Sequence, residues 1–153
     1  NWCDVIYIGG GASDDLVELF KSKGYDKLLL KYQNQNKVYA GISAGAMLYS
    51  KAAMGDKYAF FDNFVISNYK MVDCLGLIEY TICPHYQNEG LTIYNSKLRD
   101  YSYPGLGIED DTCVIISNNK IRIIKEDNTH SVYYFDNFDD YKMIPLYEGK
   151  IYE

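Results

Sequence analysis

Three places in this chain carry side chains suited to acyl-transfer chemistry. They are Ser43 in KVYAGISAGAML, His85 in TICPHYQ, and the carboxylates Glu109, Asp110 and Asp111 in GLGIEDDTCVII. A serine hydroxyl attacks a carbonyl only when a base takes its proton, an acid orients that base, and backbone N–H groups receive the oxyanion. Gly41-Ile42-Ser43-Ala44-Gly45 fits G-x-S-x-G, a pattern that bends the backbone sharply between a strand and a helix and leaves the hydroxyl at the tip. The same turn leaves the N–H of Ala44 available for an oxyanion. Taken alone the pattern is weak in a chain with 12 glycines, so its setting has to carry the argument.

Only two histidines exist, His85 and His130. His85 follows the short apolar run Tyr80 to Cys83, whereas His130 sits in the polar turn EDNTHS, so position favours His85 as the base. For the acid, one residue of register decides which of Glu109, Asp110 and Asp111 points inward. Ordinary structural roles remain open for each: a helix cap for Ser43, a solvated imidazole for either histidine, a hydrated turn for the carboxylates.

These groups need a frame to bring them together. Asp4 to Ile8 reads as a buried strand running into Gly9-Gly10-Gly11, after which Ser13 is the expected N-cap of a helix ending near Gly24. Tyr25 to Gln33 reads as a second helix, Lys37 to Ile42 as a strand, and Gly45 to Ala53 as the helix after the serine. FFDNFVI and LGLIEY are candidate strands or loop segments. Leu91 to Tyr101 is helix-like, Gly105 to Glu109 begins a strand, and Thr112 to Ser117 turns through Asn118-Asn119-Lys120 into Ile121 to Ile124 as a β-hairpin. Strands alternating with helices imply an α/β fold, with an open, mostly parallel sheet flanked by helices and a hairpin towards the C-terminus. In such sheets sites gather beyond the carboxyl ends of strands, where Ser43, His85 and the carboxylates all fall.

A length of 153 residues, nearly half of them hydrophobic, suits one domain over 1–153. The net charge of −6 offers no basic stripe for nucleic acid or an anionic membrane, and no apolar run is long enough for a transmembrane helix. Cysteines at 3, 74, 83 and 113 show no zinc or disulfide spacing, so neither a metal nor a cofactor is expected, and reduced thiols in a cytoplasm are. Because a strand pattern begins so close to Asn1, upstream strands are expected to be missing. Further upstream residues, or a homo-oligomeric contact, would then cover the exposed sheet.

The order YIGGG, GISAGAM, PHY, GIEDDT resembles the dipeptidase E and cyanophycinase family of serine peptidases, over about Asp4 to Ile124. The resemblance implies a class I glutamine-amidotransferase-like, flavodoxin-like fold in which serine replaces the usual elbow cysteine. It also implies Ser43 as nucleophile, His85 as general base, Glu109 as acid, and the N–H groups of Gly10, Gly11 and Ala44 as oxyanion donors. A small peptide would be the substrate. Other outcomes are a peptidase for isopeptide or other peptide bonds, or an inactive member that binds a small amino-acid-like ligand. The family's Asn-Thr after the glycines is replaced by Ala12-Ser13, and only Lys97 and Arg99 stand where aspartyl dipeptidases carry carboxylate-binding arginines.

Overall fold

The computed structural model describes residues 3–33, 35–55, 69–87, 92–137 and 141–153. FFDNFVI lies outside them. Strand β1 (Val5–Ile8) leads through the glycines into helix α1 (Ser13–Lys23), and Gly24, at φ 72°, turns the chain directly into α2 (Tyr25–Tyr32). Strand β2 (Val38–Gly41) then pairs in parallel with β1. The N-cap of α1 is Ala12, not the expected Ser13, which lies one residue inside the helix and is buried.

After β2 the helix α3 spans only Ala44–Met47, much shorter than the Gly45 to Ala53 expected. The buried Ser50 stops it, its hydroxyl donating to either Met47 O (2.7 Å) or Ala52 O (2.9 Å), and Ala52–Gly55 then enters the sheet as β3. The small residues Ala52 and Ala53 read as the end of the helix in the sequence. Complete burial between sheet neighbours makes them a strand.

A six-stranded sheet runs in the order β10-β9-β6-β5-β3-β4, with β4 at Lys70–Asp73, β5 at Thr81–Pro84, β6 at Gly105–Ile108, β9 at Val132–Asp136 and β10 at Lys142–Leu146. LGLIEY forms no strand; its residues make the bends before β5. Strands β3, β5 and β6 are parallel, while β4, β9 and β10 join antiparallel. The sheet is therefore mixed and not mostly parallel. Strands β7 (Thr112–Ser117) and β8 (Lys120–Lys125) pair as an antiparallel ribbon outside it, through a turn with Asn118 and Asn119 at φ 51° and 59°. The chain leaves β6 through this ribbon and comes back reversed as β9.

Alternation along the strands divides the core in two. Ala53, Ile82, Leu106 and Val132 pack with Ile8, Met47 and Leu48 on one face. Met54, Cys83 and Phe135 pack with Tyr94 and Leu98, contributed by α4 (Thr92–Lys97) and the 3-10 turn Leu98–Asp100, on the other. Burial raises the Cys83 thiol pKa well above its ordinary value and takes that of Cys74 to about 11, so both behave as packing groups and not as nucleophiles. By contrast, Val5, Tyr7 and Val38 on one face of the β1–β2 pair are 54%, 65% and 55% exposed.

Candidate active site

Ser43 follows β2 directly and has φ 53° and ψ −123°, a conformation that a residue with a side chain adopts only under constraint. The glycines supply the constraint. A Cβ on Gly41 would lie 2.4 Å from the carbonyl carbon of Gly45, and one on Gly45 would lie 2.1 Å from Ile8 O, so no other residue fits at either position. Gly10 is the third close neighbour, since its Cβ would sit 3.1 Å from Ser43 Cβ and 3.6 Å from Oγ. The two glycine features thus meet at one point, with the β1 turn against the serine. Among the described residues, no backbone acceptor meets the N–H of Gly10, Gly11 or Ala44.

His85 follows β5 at φ 55°. Its Nε2 lies 3.1 Å from Ser43 Oγ and its Nδ1 lies 2.5 Å from Asp110 Oδ1. A carboxylate only accepts, so Nδ1–H donates to Asp110 and Nε2 is left to accept the Ser43 hydroxyl proton. The His85 and Asp110 side chains are 44% and 46% exposed, leaving this edge of the site open.

The carboxylate expected beside His85 was Glu109, and the structure puts Asp110 there. Glu109 continues the β6–β9 ladder for one step, its N–H donating to Ser131 O at 3.1 Å. Its Oε2 accepts from Ser131 N at 2.6 Å, and its carbonyl accepts from Thr112 Oγ1 at 2.6 Å. Asp110, the first residue beyond the ladder, is free to turn towards the imidazole. Asp111 faces the other way, 3.8 Å from His130 Nδ1, so the second histidine stands with a carboxylate of its own away from Ser43.

Two residues here have no role of their own in the sequence reading. Gln87 Oε1 accepts from Asp110 N at 3.1 Å, and Tyr86 N donates to Ile108 O at 3.1 Å, clipping the histidine segment to the end of β6. The Tyr86 ring also packs against Gly107, where a Cβ would come within 2.8 Å of it, so the GLG of β6 makes room for the aromatic next to His85 in the chain. Among the described residues, no group of three histidine, cysteine or carboxylate side chains is placed to hold a metal. A separate cavity of about 780 Å³ runs between β4 and α4, lined by Tyr69, Lys70, Met71, Ile93, Lys97 and Tyr101, and does not reach Ser43.

Several known proteins resemble this chain in sequence or fold. The chain is 34% identical over 86 residues to the uncharacterized peptidase YgaJ of Bacillus subtilis (strain 168), covering 56% of this chain and 34% of that protein. It is 26% identical over 125 residues to the uncharacterized peptidase PM1590 of Pasteurella multocida (strain Pm70), covering 80% and 59%. The chain thus spans between about a third and three fifths of the length of these relatives. A crystal structure provisionally described as a peptidase E protein, from Listeria monocytogenes EGD-e, superposes with a TM-score of 0.59 at 26% identity, over 81% of this chain and 60% of that one. A peptidase structure from an acI-B1 actinobacterium shares the fold at 16% identity, with a TM-score of 0.62 over 97% of this chain and 59% of that one. The model of Peptidase family S51 matches residues 1–124, a span that holds Ser43, His85 and Asp110, and the chain belongs to that family of serine-type peptidases.

Proposed function

We propose that this chain carries the acyl-transfer centre of a serine peptidase acting on small peptides, with Ser43 as nucleophile, His85 as general base and Asp110 in the role expected of Glu109. The observation behind it is the single imidazole placed between a hydroxyl and a carboxylate, at 3.1 and 2.5 Å. His85 Nε2 takes the Ser43 proton as Oγ attacks the peptide carbonyl carbon. The imidazolium that forms is stabilised by Asp110, and it returns the proton to the departing amine as the C–N bond breaks. Water then gives its proton to His85, attacks the acyl ester and releases the acid and the serine.

Negative charge developing on the carbonyl oxygen is met by the N–H groups of Gly10, Gly11 and Ala44. One preorganised donor lowers such a barrier by about 3 kcal/mol. Helix α3 is a single turn, so this help comes from the aimed N–H group and not from a long helix dipole. Restriction to dipeptides and action in a cytoplasm belong to the same proposal. Four unpaired cysteines suit a reducing compartment, and among the described residues no helix is long and apolar enough to cross a membrane.

A fluorophosphonate probe mapped by mass spectrometry tests the reading. The expected adduct is on Ser43, and Ser43→Ala abolishes it. An adduct on another serine, or none at all, refutes the assignment and favours a chain that only binds its ligand.

A further inference from the structure

The choice between two adjacent carboxylates needs an explanation, because Glu109 and Asp110 leave the same strand end and a free glutamate has the longer reach. Glu109 is held from one side by Ser131, with its N–H and its Oε2 both engaged on that residue's backbone. Asp110 is held from the other side. Its N–H donates to Gln87 Oε1 while its Oδ1 accepts from His85, two residues earlier in the same segment. A closed ring of contacts results: His85, Tyr86 and Gln87 along the chain, Gln87 to Asp110 through the amide, and Asp110 back to His85 through the carboxylate. The backbone of the ring is fixed as well, since Tyr86 N donates to Ile108 O and His85 sits at φ 55°.

From this ring we infer that Gln87 is a positioning residue for the reaction, one that fixes the Asp110 backbone so that its carboxylate meets His85 Nδ1. Gln87 acts through Asp110 and is not itself a catalytic residue. The side-chain amide suits the task. Its oxygen accepts the Asp110 N–H without adding a second negative charge beside the Asp110 carboxylate, as a glutamate there would. With Gln87 absent, the Asp110 amide loses its protein partner and the turn from Asp110 to Asp111 gains freedom. Displacements of about 1 Å between reacting groups cost on the order of a hundredfold in rate.

The inference rests on the Ser43–His85–Asp110 reading, and a double-mutant cycle separates the two. The second-order rate of Ser43 acylation by a fluorophosphonate is measured for the wild-type chain, Gln87→Leu, Asp110→Ala and the double variant, with thermal unfolding confirming that each is folded. Leucine keeps the bulk and removes the acceptor. Gln87→Leu should slow acylation by about 10-fold to 100-fold in the wild-type background and leave the rate of Asp110→Ala unchanged, because the two act as one unit. Hydrogen exchange at the Asp110 amide should quicken in Gln87→Leu. Wild-type acylation of Gln87→Leu would overturn the inference alone. An equal slowing in both backgrounds would overturn it too, since that is what a merely structural glutamine produces. Failure of the wild-type chain to form any Ser43 adduct would remove the catalytic reading, and the inference with it.

Discussion

The serine corner and the acid corner of this site are built by different means. Ser43 is fixed by shape, because the backbone at Gly41, Gly45 and Ile8 approaches too closely for any alternative, and the strained φ of 53° follows from that packing. The acid corner is fixed by partner choice. Glu109 and Asp110 are assigned opposite directions by hydrogen bonds to Ser131 and Gln87, from the residue just before β9 and from the histidine segment respectively. A corner fixed by shape tolerates no added atom. One fixed by hydrogen bonds degrades in steps.

Gly45→Ala should therefore have the largest effect. A methyl group placed 2.1 Å from Ile8 O cannot be accommodated without separating α3 from β1, and a loss of about 3 kcal/mol or more in the urea unfolding free energy is expected, together with loss of Ser43 labelling. A Gly45→Ala chain as stable and as reactive as wild type would break the contrast at its stronger end.

Glu109→Ala comes next. It leaves the Ser131 N–H without its acceptor at a half-buried position and should cost about 1 to 2 kcal/mol, read from the shift in urea midpoint. His130→Ala should have the smallest effect. Among the described residues the imidazole meets Thr129 and, at 3.8 Å, Asp111 in an open turn, so stability should change by less than about 0.5 kcal/mol and Ser43 acylation not at all. A large loss of acylation in His130→Ala would sharpen the account in the other direction, by bringing Asp111 into the site.

The same contrast explains what could be read in the sequence. Close backbone approach leaves a mark in the residues themselves, and G-x-S-x-G with the upstream glycines pointed to the place where Ser43 and Gly10 meet. Strand ends were legible too, since β5 and β6 begin and end within a residue or so of their apolar runs and put His85 on the working edge. Hydrogen-bond choice leaves no such mark. Nothing in GIEDDT tells which carboxylate the amide of Ser131, more than 20 residues later, will capture. Strands β9 and β10 were unreadable for a related reason: their pairing with β6 and with each other decides them, and together with the antiparallel β4 they turn an expected mostly parallel sheet into a mixed one. The expected helix is longer than α3 because the Ser50 hydroxyl on Met47 O and the entry of Ala52–Gly55 into the sheet, and not helix propensity, set its end.

The central claim is that His85 works through Asp110 and not through the neighbouring Glu109. The most direct measurement compares the fluorophosphonate acylation rate of Ser43 in Asp110→Ala and in Glu109→Ala under conditions where both are folded. Loss of the acid member of such a triad costs about 10⁴-fold, so Asp110→Ala should be slower than wild type by roughly that factor and Glu109→Ala by less than about tenfold. The reverse order, with Glu109→Ala crippled and Asp110→Ala near wild type, would contradict the account.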